Sequence, residues 1–258
     1  MLKILTESDL NSLLTFCEGK ILGARIACYA LSYGFDKDFL TFWGDKNDNK
    51  FSKIVTEFYG SVTVLNNDVT DLEELRNFLG MIGAESITTD CTTAGLLNFS
   101  QFETKTGYKY LKSNNSVAYA EDAAEADLKG IYTLISEAIP NSFENTKEAY
   151  LAFLSDFTYR KRRGYAAAKC IHHDGKVVSS VITAAQSHCD ALLSGVACDE
   201  KFRKYGYGKR TVLSLADELH NKGKNVFVIA LNKSAEGFYE HIGFIECEKI
   251  AFINRKVL

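Results

Sequence analysis

Residues 203–210 read Arg-Lys-Tyr-Gly-Tyr-Gly-Lys-Arg, two glycines set among four cations. With Lys201, five positive charges crowd this segment, although the whole chain carries a formal net charge of -3. Just after it, Val212, Leu213, Leu215, Ala216 and Leu219 recur at helical spacing. Cations in the first turn of a helix normally cost about 0.3 to 1 kcal/mol each, because the unpaired N–H groups there already form the positive end of the dipole. A bound polyphosphate reverses the sign of that cost. Glycine lets the backbone turn tightly and lets a bulky anion approach without meeting a Cβ. The chemistry this stretch can do is therefore to hold a polyphosphate on main-chain amides.

The flanking elements must aim it. Residues 191–198, Ala-Leu-Leu-Ser-Gly-Val-Ala-Cys, read as a mostly apolar strand ending at Asp199-Glu200. Asn221 and Gly223 stop the helix, and 226–231, Val-Phe-Val-Ile-Ala-Leu, is a second apolar run of strand length. A strand, loop, helix, strand order predicts two parallel strands with a right-handed crossover. A dinucleotide fingerprint needs a small residue three after the second glycine and an acid about 20 residues on. Thr211 and Asn232 stand there instead, and no Gly-Lys-Ser/Thr triphosphate loop occurs anywhere.

Arg203-x-x-Gly206-x-Gly208 resembles the coenzyme A pyrophosphate loop of the GNAT superfamily of N-acetyltransferases. A second segment stands at the family's distance: Asn232, Ala235, Tyr239, Gly243 and Phe244 match its Asn-x-x-Ala-x-x-x-Tyr-x-x-x-Gly-Phe pattern. The resemblance covers about the last third of the chain. It implies an α/β (α+β) fold with a mixed, mostly antiparallel central sheet, a splayed parallel strand pair and flanking helices. It implies acetyl-CoA as cosubstrate, with the pyrophosphate on Arg203, Lys204, Tyr205, Gly206, Tyr207, Gly208 and Lys209. The pantetheine would pair with the main chain of Val196, Ala197 and Cys198 like an added strand, and Asn232 would bond the cofactor near that arm. Tyr239 would take the role of acid toward the departing thiolate; it also reads as a core tyrosine beside Phe238 and Ile242.

The chain has 258 residues, 46% hydrophobic and 24% charged, an ordinary globular balance. Its near-neutral charge argues against a nucleic-acid binder, and no apolar run reaches membrane-spanning length. Seven cysteines with no Cys-x-x-Cys pair and no secretory leader read as reduced thiols of a cytoplasmic protein. His172 and His173 are adjacent, but consecutive strand residues face opposite ways and no further ligand is spaced to join them, so no metal is expected. The basic run 160–163 reads as a solvated helix end, which cations suit, rather than a site for an acidic substrate or nucleic acid.

Helical patterns from Leu10 to about Tyr33, a hairpin at 39–59, a strand at 61–65, a helix opening at Asp71 and a strand at 86–89 make up the first half. The second half begins after a polar stretch near 112–116, with helices predicted at 122–139, closed by Pro140, and at 147–159, then strands at 165–171 and 176–184. The two halves share one order of elements, so the chain reads as two tandem modules of the GNAT kind, a degenerate one at 1–115 and an acetyltransferase one at 116–258. The loop at 66–71 of the first is acidic and lacks glycine, so that half is expected not to bind coenzyme A.

An amine of ordinary pKa, about 10.4, costs about 4 to 5 kcal/mol to present neutral at pH 7, so a general base is useful. Where some family members carry a carboxylate in the central strand this chain has Leu192; His188, Asp190, Glu246 and Glu248 stay open as alternatives. The function expected is acetyl transfer from acetyl-CoA to a primary amine, of a small molecule or a peptide. The alternatives are a different acyl donor or a non-catalytic module that binds coenzyme A or a partner. Neither the acceptor nor the oligomeric state is written in the sequence.

Overall fold

A computed structural model describes residues 1–47, 50–68, 72–99, 101–111, 120–139 and 143–254. The chain forms two compact units that do not divide at one point in the sequence. The first comprises Met1–Tyr108, Ile229–Glu236 and Glu246–Leu258, and the second Lys109–Val228 and Gly237–Ile245. The boundary expected at 115/116 lies outside the described residues, as do Asp71 and Pro140.

The first unit is built from β1 (Lys3–Ile4), α1 (Leu10–Cys17), α2 (Ile21–Tyr33), β2 (Leu40–Asn47), β3 (Lys50–Phe58), β4 (Ser61–Asn66), α3 (Leu72–Met81), β5 (Ser86–Asp90), α4 (Cys91–Leu96) and most of β6 (Glu103–Tyr110). Leu10 opens α1 after a short 3-10 turn, where Asp9 Oδ2 accepts the Thr6 N–H at 3.0 Å. Strands β1 to β4 pair antiparallel in sequence, and β4 runs parallel to β5 across α3. Val55, Val62, Val64, Leu75, Leu79 and Ile87 meet in its core, so the apolar faces of strand and helix do the organising.

The second unit continues with β7 (Glu121–Asp122), α5 (Leu128–Ala138), α6 (Lys147–Arg162), β8 (Ala168–His173), β9 (Lys176–Gln186), β10 (Asp190–Cys198), α7 (Tyr207–Asn221), β11 (Asn225–Ala230, its last two residues in the first unit) and the C-terminal half of α8 (Lys233–His241). Here β7 to β10 pair antiparallel and β10 runs parallel to β11 across α7. Leu128, Ile131, Ile135, Phe157 and Ile182 form its core, and the predicted face of α7 is buried throughout. The mixed, mostly antiparallel architecture with one parallel pair thus occurs once in each unit. The last strand, β12 (Phe244–Asn254), places Ile250–Asn254 antiparallel to Asp90–Ser86 in the first unit.

Three local expectations change. Asp122 belongs to a strand, and the helix behind it starts only at Leu128, because a 3-10 turn at Glu125–Asp127 intervenes. The helix predicted after Arg210 already starts at Tyr207, so half of the glycine-bearing stretch is its first turn. The basic run at the end of α6 is not all solvated. Arg160 is buried, with Nε and Nη2 donating to Asp156 Oδ2 at 3.0 and 2.6 Å and Nη1 to the Ala184 carbonyl. Lys161 donates to the Ala123 carbonyl, so these cations are structural. Among the described residues no helix is long and apolar enough to cross a membrane, and all seven cysteines are free thiols.

Candidate active site

The parallel ladder between β10 and β11 runs from Asp190 opposite Asn225 to Leu193 opposite Val228 and stops there. On its other side β10 stays paired with β9 to Cys198, through an irregularity between Ser194 and Ala197. Gly195 sits in that bulge at φ +56°, where a Cβ would lie 2.6 Å from Ile135 Cδ1 and 2.9 Å from Ile182 Cγ1. One extra residue bends β10, and the strands part beyond Leu193. Val196, Ala197 and Cys198 therefore form an edge that has left β11, the backbone arrangement an extended amide ligand can add to. A lone glycine inside an apolar strand was the available sequence signal for the bulge.

Beyond Cys198 a 3-10 turn (Glu200–Phe202) leads into Arg203, whose Nε donates to the Cys198 carbonyl at 3.3 Å. Lys204 and Gly206 both adopt positive φ, 68° and 80°, and Gly206 is the N-cap of α7. The first intrahelical bond is Arg210 N–H to the Gly206 carbonyl at 3.0 Å. The amides of Gly206, Tyr207 and Lys209 precede that bond, while the Gly208 amide points at the Cys198 sulphur. Burial holds that thiol above its ordinary range, with Arg203 acting against it. Space above the glycines is open. Nothing lies within 4 Å of a Cβ at Gly206, and one at Gly208 would meet only the Phe238 ring at 3.8 Å.

Thr211 explains why no small residue is needed three after Gly208. Its hydroxyl donates to the Tyr207 carbonyl at 2.8 Å and lies 2.8 Å from Ser179 Oγ, whose one proton is shared between Thr211 and the Ala197 carbonyl at 3.3 Å. This buried chain fastens the first turn of α7 to β9 and β10 and holds the amides in place. Ser179 carried no motif and was invisible in the sequence.

Tyr239 is 5% exposed, with ring centroids 5.3 Å from Phe238 and 5.6 Å from Phe244. Burial raises its phenol above the ordinary range, so it stays protonated at neutral pH. Phe238 brings α8 to Gly208, so the second unit gathers the β10 edge, the glycine-bearing turn and Tyr239. Asn232 falls in the first unit, where its Oδ1 accepts the Ala235 N–H at 3.0 Å and caps α8.

Leu192 is buried, and of the open base positions Asp190 is buried too, its Oδ1 accepting from Asn225 Nδ2 at 2.9 Å at the start of the parallel ladder. His188 Nε2 lies 3.3 Å from the Tyr165 hydroxyl, and Glu246 pairs with Lys249 at 2.8 Å on the surface. Glu248, in the first unit, differs. Burial pushes its carboxyl up to about 7, with Asp90 adding and Lys20 opposing. Its folded proton affinity exceeds the unfolded one, so the unfolded chain ionises first and stability falls as pH rises from about 4.5 to 7. Glu248→Gln should therefore raise stability at pH 8 by about 1 to 2 kcal/mol, allowing for partial solvent screening, and change little at pH 4. Urea unfolding at both pH values checks it; equal effects at the two would refute it.

Residues 185–253 match the family model described as FR47-like protein. Solved structures with the same architecture over nearly the whole chain include a GNAT-family acetyltransferase from Colwellia psychrerythraea, 14% identical, with 99% of this chain and 100% of that one covered at a TM-score of 0.61. A GCN5-related N-acetyltransferase from Sphaerobacter thermophilus is 12% identical over 98% and 94%, TM-score 0.62. A tandem GNAT protein from the clavulanic acid biosynthesis pathway, solved without AcCoA, is 12% identical over 98% and 97%, TM-score 0.61. The chain has the tandem GNAT fold. No curated protein matches its sequence. At these identities the GNAT likeness carries the fold, and the second unit's geometry must carry the chemistry.

Proposed function

We propose that this GNAT-fold chain is an acetyl-CoA-dependent N-acetyltransferase whose acceptor is a primary amine of a small molecule or a peptide. The supporting observation is the left-handed Gly206 N-cap, which leaves main-chain amides open among cations at the end of a strand that has parted from its parallel neighbour. In this reading the amides of Gly206, Tyr207 and Lys209, with Lys204 and Arg203, take the diphosphate, and the edge at Val196–Cys198 takes the pantetheine amides. That placement lays the thioester along β10 toward the parting of the strands. The neutral amine attacks the thioester carbonyl, the tetrahedral intermediate collapses with cleavage of its C–S bond, the thiolate leaves, and the proton shed by the attacking nitrogen passes to water. Tyr239, protonated and dry, supplies a hydrogen bond to the developing thiolate. Modules at 1–115 and 116–258, the first without a cofactor, complete the proposal.

The buried aromatic setting of Tyr239 and the apolar Leu192 favour a second reading, a module that holds coenzyme A without turnover. Thiol release with a panel of amines separates the two. Wild type should release coenzyme A with at least one amine, and Tyr239→Phe should lower kcat by about 10²-fold while leaving cofactor affinity within about twofold. Tight cofactor binding with no thiol release from any amine would favour the second reading.

A further inference from the structure

We propose that Asp127, Cys170 and His172 of the second unit form a site for a borderline-soft divalent cation such as zinc. One ligand atom of each lies within 4.8 Å of the others. Cys170 and His172 are two apart on β8, and Asp127 ends the 3-10 turn before α5. Spacing along the strand offered no third ligand; the fold brings one from 45 residues away and leaves His173 out, its ring against Phe202 at 4.7 Å.

The hydrogen bonds around His172 carry the argument. Its Nδ1 is 3.1 Å from Glu121 Oε2 and its Nε2 is 3.0 Å from Asp127 Oδ1. A neutral imidazole has one N–H and can satisfy one of these carboxylates, the other nitrogen then facing an oxygen lone pair; a second ring proton or a metal cation relieves this, and only the cation also engages the Cys170 sulphur. A cation among Nε2, Oδ1 and the Cys170 sulphur removes that conflict. Outer partners already orient both half-buried ligands. Glu121 accepts from Nδ1, and Asp127 Oδ2 takes the Ala124 N–H at 2.8 Å, the arrangement in which a second shell fixes tautomer and carboxylate orientation. One sulphur, one nitrogen and one oxygen suit zinc or cobalt and disfavour magnesium or calcium, which want oxygen throughout. Metal–ligand bonds of about 2.0 to 2.3 Å require the three atoms to close modestly, leaving a fourth position open. Bound there, the ion would tie the start of α5 to β8. No residue is shared with the cofactor turn, so this inference stands apart from the acyltransfer reading.

Chelator-treated full-length protein is titrated with cobalt(II). The expected result is a sulphur-to-cobalt charge-transfer band that saturates at about one equivalent and is bleached by zinc. Cys170→Ala should abolish the band, Asp127→Asn should weaken cobalt binding at least about tenfold, and Cys247→Ala, at an exposed cysteine, should change neither. Circular dichroism of the metal-free variants establishes that they fold, and Asp127→Asn leaves the core untouched should Cys170→Ala not. Absence of the band in wild type, or its survival in Cys170→Ala, overturns the proposal. So does a melting temperature indifferent to zinc that falls as pH rises past the imidazole range, which would assign the site to an imidazolium bridging two carboxylates.

Discussion

Arg203→Glu combined with Gly206→Val should abolish retention of acetyl-CoA in a chain that still folds. Affinity by calorimetry is expected to fall at least about 100-fold, or about 2.7 kcal/mol. The physical reasons are separable. Gly206 holds φ +80° as the N-cap, a conformation a β-branched residue adopts only with strain, so the amides that follow lose their common direction. Reversing Arg203 places a carboxylate where the diphosphate would sit. The residue is exposed, and its side-chain hydrogen bond to the Cys198 carbonyl is a modest contribution to stability. A melting temperature within a few degrees of wild type together with lost binding is the expected pair of results. Retained affinity in the folded double variant would remove the turn from the site.

Gly195→Ala should be the most damaging single-methyl substitution in the second unit, costing about 2 to 4 kcal/mol in urea unfolding. Two penalties coincide there. The residue lies at φ +56°, unfavourable for any residue with a Cβ, and the added carbon would stand 2.6 Å from Ile135 Cδ1 in a packed core. The Ile135 and Ile182 side chains can give way in part, but the positive φ is relieved by straightening the bulge, which would let β10 rejoin β11 and close the parting on which the pantetheine edge depends. The variant should therefore lose cofactor affinity more steeply than stability alone explains. A loss below about 1 kcal/mol would show that the bulge is not what holds the strands apart.

Much of this was legible because it is local. Periodicity placed α7 and its buried face, the apolar runs placed β10 and β11, and the order of elements revealed two modules. Residues 203–210 suggested an anion site through composition alone, and the fold sets them at the start of α7. What escaped depends on partners distant in sequence. The Ser179–Thr211 bond joins residues 32 apart, and nothing about either serine or threonine marks it. Arg160 is buried while Arg162 and Arg163 stay exposed, because the Ala184 carbonyl 24 residues on accepts from its guanidinium and Asp156 one turn back supplies the compensating charge. The pairing of β12 with β5 was equally hidden, since an alternating strand pattern shows that a neighbour is wanted and not which one. Asp127 joining Cys170 and His172 is the same lesson in a side-chain cluster.

The central claim is that main-chain amides at the start of α7 grip a diphosphate. Parallel calorimetric titrations of the wild-type chain with coenzyme A and with pantetheine, which lacks the diphosphate and nucleotide, test it most directly. Single-site binding of coenzyme A in the micromolar range, with pantetheine at least about 100-fold weaker, is the predicted result. Equal affinity for the two ligands, or no heat of binding with coenzyme A, would contradict it.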